Sequence, residues 1–117
     1  MKTTDLQIGD WYANSDGDIC KVVKNLGNIV WGQGDDVSDS TDDPNPIPLT
    51  TEILEKNGWW FNVEDIWLHD GVSFCIEKWN GKFLCYDINQ IKLYSVHQLQ
   101  QTLRLCGLNE LADNFKI

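Results

Sequence analysis

The chain has 117 residues with nine Lys and Arg against eighteen Asp and Glu, a net charge of −9 and a pI near 4.4. Its length fits one compact domain able to bury a core without staples. Six Trp, four Phe and three Tyr in a 42% hydrophobic composition argue against disorder. The charge works against binding nucleic acid through its phosphates. No apolar run is long enough for a membrane-spanning helix, and Met1–Asp5 does not read as a secretory signal, so a cytoplasmic protein without membrane contacts is expected.

Turn dipeptides organise the reading in chain order. Asp16-Gly17, Asp70-Gly71 and Asn80-Gly81 are suited to type I′ hairpins, and Gly27-Asn28 to a type II′ turn. Between them lie β-branched and aromatic runs of strand length: Trp11-Tyr12-Ala13, Ile19 to Val23 and Ile29-Val30-Trp31. A three-stranded meander is expected over about 9–33. An acidic loop follows over about 34–48, rich in Gly, Asp, Ser, Asn and Pro.

Thr50 is suited to N-cap a short helix over about 51–57, with Leu49 stapled to Leu54 and Gly58 as the left-handed stop. A second meander is expected over about 59–88. Ser95-x-x-Gln98 is a capping box that opens a helix over about 96–106, with Tyr94 stapled to Leu99. Val96, Leu99, Leu103 and Cys106 form its apolar face, Gly107 ends it, and Asn109-Glu110-Leu111 opens a short last turn. The expected fold class is α+β: two antiparallel β-meanders, the first like part of an SH3-like barrel, a short middle helix and a C-terminal helix packed on the sheet.

Chemistry is harder to place. Cys20, Cys75, Cys85 and Cys106 form no C-x-x-C pair and no cluster with His, so free thiols are expected. Counting through Asn80-Gly81 pairs Ile76 with Cys85 and Cys75 with Tyr86, which puts Cys75 and Cys85 on opposite faces. Counting through Asp70-Gly71 pairs His69 with Val72 and Trp67 with Phe74. His69 then lies roughly 16 Å from Cys85, too far for proton transfer. His97 falls in the first turn of the last helix without a carboxylate one turn away, and reads as a surface or capping residue, with ligand contact as the alternative. No nucleophile elbow, dinucleotide fingerprint or phosphate loop occurs, so neither an enzyme nor a cofactor is expected.

Asp35, Asp36, Asp39, Asp42 and Asp43 do not match the spacing of a calcium loop, and no metal is expected. They read instead as a solvated, mobile segment that steers a basic partner. Trp59 and Trp60 are adjacent and must face opposite ways, so one of them is available to a ligand or partner. Gln101 lies opposite the apolar face of the last helix and joins His97 as a candidate contact.

Three segments recur in one order. They are Leu6-Gln7-Ile8-Gly9-Asp10-Trp11, then Pro46-Ile47-Pro48-Leu49-Thr50 leading into Glu52 to Trp59, then Val96-His97-Gln98-Leu99-Gln100. On these the chain resembles a family of small uncharacterised proteins encoded by phages, prophages and mobile elements of gut Bacteroidetes. Ser95 stands where that family usually carries Tyr. The resemblance implies a cytoplasmic accessory protein and carries over no catalytic residue. The expected function is a non-enzymatic protein-interaction module that modulates a host or defence factor. A small-ligand or saccharide binder using Trp faces and a hydrolase with an unrecognised site are the alternatives.

Overall fold

The computed structural model describes residues 1–34, 37–62, 65–85 and 91–117. The fold is α+β: two antiparallel sheets, of four and five strands, with short helices. The chain divides into two compact units, the first comprising Met1–Ile47 and Ser95–Asp113, the second Pro48–Tyr94 and Asn114–Ile117. No helix among the described residues is long and apolar enough to cross a membrane.

The first unit holds β1 (Trp11–Ala13), β2 (Ile19–Asn25), β3 (Val30–Gln33) and β4 (Ser38–Thr41) in that spatial order. Leu6, Tyr12, Cys20, Val22 and Val30 form its buried cluster, with Met1 and Val37 packed against it. The strand β4 was not expected, because Ser38-Asp39-Ser40-Thr41 lies in the segment read as a loop. Its side chains favour no strand, but its backbone pairs with every residue of β3, from Val30↔Thr41 to Gln33↔Ser38. Just beyond it, Asn45 bridges to Ala13 on the opposite edge strand. The sheet therefore curls back through a single bridge without closing into a barrel.

The helix α2 (Val96–Leu105) buries Val96, Leu99 and Leu103, as the spacing requires, whereas Cys106 is exposed. A Schellman end stops it: Leu108 N–H donates to Leu103 O and Gly107 N–H to Arg104 O, with Gly107 at φ 78°. α3 (Asn109–Asp113) follows.

In the second unit α1 (Thr51–Lys56) starts where Thr50 Oγ1 accepts the Ile53 N–H at 3.2 Å and ends in another Schellman pair at Gly58 and Trp59. The sheet runs β5 (Trp60–Asn62), β6 (Ile66–Leu68), β7 (Ile76–Trp79), β8 (Lys82–Cys85) and β9 (Ile91–Leu93). One face buries Trp67, Ile76, Phe83, Cys85 and Leu93. Asn57 clamps the C-terminal segment to α1: its side chain donates to Lys116 O and accepts the Lys116 N–H.

The turns divide by their backbone. Asn80-Gly81 is a two-residue turn with both residues at positive φ, and it sets the pairing Trp79↔Lys82 through Ile76↔Cys85 as expected. Gly27 at φ 90° leads the Gly27-Asn28 turn, as a type II′ turn requires. Asp16-Gly17 differs: only Gly17 has positive φ, and the pairing Ala13↔Ile19 makes the loop longer. Asn14 is the reason, since its side-chain oxygen accepts the N–H of both Asp16 and Asp18. Neither Asp70 nor Gly71 has positive φ, and Trp67 pairs with Ile76 instead of Phe74. That register, shifted by two residues, replaces the expected one. The expected partner of Cys75, Tyr86, lies outside the described residues.

Candidate functional site

In the first unit the first and last recurring segments meet. Asp10 is fully buried and its carboxylate accepts from the Gln7 N–H at 2.8 Å, from Gln101 Nε2 at 2.7 Å and from Arg104 at 2.5 Å. Arg104 also reaches Gln7 Oε1 and Asp113 Oδ1, each at 3.2 Å. Gln100, equally buried, accepts the Trp11 N–H at 2.9 Å and donates to Gly9 O at 2.8 Å and Ala112 O at 2.9 Å. Gly9 sits at φ 93°, and a Cβ there would come within 2.8 Å of the Arg104 guanidinium. Only glycine turns the chain there and leaves room for the Arg. The polar groups of this network are mutually satisfied, so it is a structural clamp.

Beside the clamp an open depression of about 460 Å³ is lined by Thr4, Asp5, Gln7, His97, Gln98 and Gln101. Two candidates named from the sequence, His97 and Gln101, thus share one site. His97 is not on the surface as expected: it is 7% exposed, with Nδ1 3.0 Å from the Ser95 hydroxyl. Burial pushes its pKa down, while the Asp10 and Asp5 carboxylates act in the opposite direction. Gln101 is not the idle outer residue its helical position suggested: its Nε2 donates to Asp5 O and to Asp10.

His69 is structural. Gly71 N–H donates to its Nδ1 at 2.9 Å, so the proton sits on Nε2, 3.1 Å from Asn57 O. Its ring meets Trp59 edge-on at 5.3 Å. Among the described residues neither histidine is bonded to a carboxylate or a cysteine. None of the four cysteines is joined in a disulfide, and Cys20 and Cys85 are buried.

The acidic set is not brought together as one mobile loop. Asp35 and Asp36 lie outside the described residues. Asp39 belongs to β4, opposite Gly32, and its carboxylate accepts the N–H of Ser40. Asp42 and Asp43 are exposed beyond that strand. Charge is nevertheless concentrated in this unit, which holds four basic against eleven acidic residues, net −7, while the second holds five against seven, net −2.

No protein-family model, curated protein or solved structure matches the chain.

The tryptophan pair separates as strand geometry demands. Trp59, proposed as a contact residue, is 4% exposed and packs on Phe74; it is core. Trp60 is 47% exposed. The register places it on the outward face of the five-stranded sheet with Ile66, Leu68, Leu84 and Trp79, the last 62% exposed. Tyr94 is half-exposed rather than a buried staple, and Lys82 lies over its ring at 5.9 Å. Glu77 and Lys92 stand on the same face. Trp60 is the residue of this surface named from the sequence; the others escape because each strand reads as an ordinary apolar run. The alternation of Ile66, Leu68 against Trp67 and of Leu84 against Phe83 and Cys85 was the available signal: apolar residues occupy both faces.

Proposed function

We propose that this chain is a non-enzymatic protein-interaction module whose contact surface is the outward face of the five-stranded sheet. The observation that carries the reading is the exposure of Trp60 and Trp79 on a face that also presents Ile66, Leu68 and Leu84. Large aromatics bury about 150–250 Å² each and dominate interface energetics. Lys82 and Lys92 flank the apolar residues with polar groups, and Glu77 stands between Ile66 and Leu84 within the face. The resemblance to phage- and prophage-encoded proteins supports a cytoplasmic accessory role directed at a host or defence factor. The curled first sheet supports the likeness to part of an SH3-like barrel.

The same exposed tryptophans favour a second reading, a saccharide or small-ligand site, because a sugar ring stacks on an indole face. Affinity capture from bacterial lysate, run with the wild type and with Trp79→Ser/Leu84→Lys, separates the two. A protein retained only by the wild type supports the module. Tryptophan fluorescence that shifts with saccharides, together with equal capture by both chains, favours the ligand site.

A further inference from the structure

Acceptors predominate in the depression beside the Asp10 clamp, with the N-terminal ammonium as the opposing charge felt by His97. Gln101 Nε2 is committed to two acceptors, Asp5 O and Asp10 Oδ2, each at 2.7 Å. The amide orientation is therefore fixed, and Gln101 Oε1 is left as the outward acceptor. Asp5 is exposed and its carboxylate accepts the Lys2 N–H at 2.8 Å, and among the described residues no cationic side chain pairs with it. Arg104 is already engaged by Asp10 and Asp113. His97, 7% exposed, borders the depression, with its Nδ1 3.0 Å from the Ser95 hydroxyl. None of the six lining residues is Lys or Arg, and the unit around them carries the −7 balance.

We propose that this depression receives the guanidinium or ammonium group of a basic side chain presented by a partner protein. Asp5 supplies the charge and Gln101 Oε1 a neutral acceptor. A cation entering here meets acceptors whose orientation the clamp has already fixed, so little ordering is needed on binding. The site lies within the first unit and stands independently of the sheet face of the second.

The test is a titration of the full ¹⁵N-labelled chain at low salt with N-acetyl-arginine amide, N-acetyl-lysine amide and, as control, N-acetyl-glutamine amide. The two cationic probes should give saturable shifts at residues 4–7 and 97–101, including the Gln101 side-chain amide, and the neutral probe should not. Asp5→Asn should weaken arginine binding about threefold to fivefold, the effect of losing one exposed charge pair. Thr4→Lys, which puts a cation on the rim, should do at least the same with an unchanged melting temperature. Equal shifts from the neutral probe, no saturable shift, or undiminished binding in both variants would overturn the proposal.

Discussion

The Gln100 carboxamide accepts the Trp11 backbone N–H at 2.9 Å across 89 residues of sequence. The same side chain donates to Gly9 O and Ala112 O, so one buried amide ties β1, the turn before it and the end of α3 to α2. Removing it takes the amide donor from two buried carbonyls at once, those of Gly9 and Ala112. Gln100→Ala should cost about 3 kcal/mol by urea denaturation, more than its small cavity explains. A loss below about 1 kcal/mol would mean that water replaces the amide without penalty.

Arg104→Met should be similarly damaging, since it leaves the fully buried Asp10 carboxylate without its cation. The expected loss is about 3 kcal/mol, and adding Asp10→Asn should recover part of it. Strict additivity in the double-mutant cycle would contradict the pairing.

The apolar stripe of α2 predicts Leu99→Ala and Leu103→Ala to cost about 2–5 kcal/mol each. Gln101→Ala should cost about 1 kcal/mol, because its hydrogen bond to Asp10 is partly buried while the one to Asp5 O is exposed. Chemical denaturation of the three variants checks the ordering.

Burial lowers the His97 pKa below its ordinary value of 6.5. The unfolded chain therefore takes up a proton first as pH falls, and the contribution of His97 to stability is present above about pH 7 and lost below it, down to the folded pKa. Urea midpoints from pH 7.5 to 5 should fall less steeply in His97→Gln than in the wild type. Parallel slopes would show that His97 titrates alike in both states.

The Tyr12 hydroxyl is buried with only the weakly bonding Cys20 thiol beside it among the described residues, and burial, helped by Cys20 and Asp39, pushes its pKa up to about 12. Tyr12→Phe should be neutral or slightly stabilising, because it removes a desolvated group that gains little in return. A loss above about 2 kcal/mol would require a partner for that hydroxyl.

Local signals carried most of the fold. Thr50, Gly58, Ser95 and Gly107 mark helix ends because caps are chosen by adjacent backbone, and Asn80-Gly81 fixes a register because two positive φ angles admit few residues. Non-local effects did not show. Ser38–Thr41 becomes a strand through its partner β3, with no propensity of its own. Asn14 redirects the Asp16-Gly17 turn through a side-chain bond to its own backbone. Gln100 stands four residues after Val96, on the same stripe as Leu99 and Leu103, and that position was the clue to a buried polar hub. His97 and Gln101 were legible as candidates, but their meeting with Asp5 and Gln7 depends on tertiary contacts that no spacing reveals.

The outward sheet face is tested most directly by photo-crosslinking in bacterial cells with p-benzoylphenylalanine placed at position 79. Position 23 serves as control, since Val23 is also about half-exposed but lies on the other unit. The proposed module predicts a discrete protein adduct from position 79 that is absent from position 23 and abolished by adding Leu84→Lys. No adduct at position 79, or the same adducts from both positions, would contradict it.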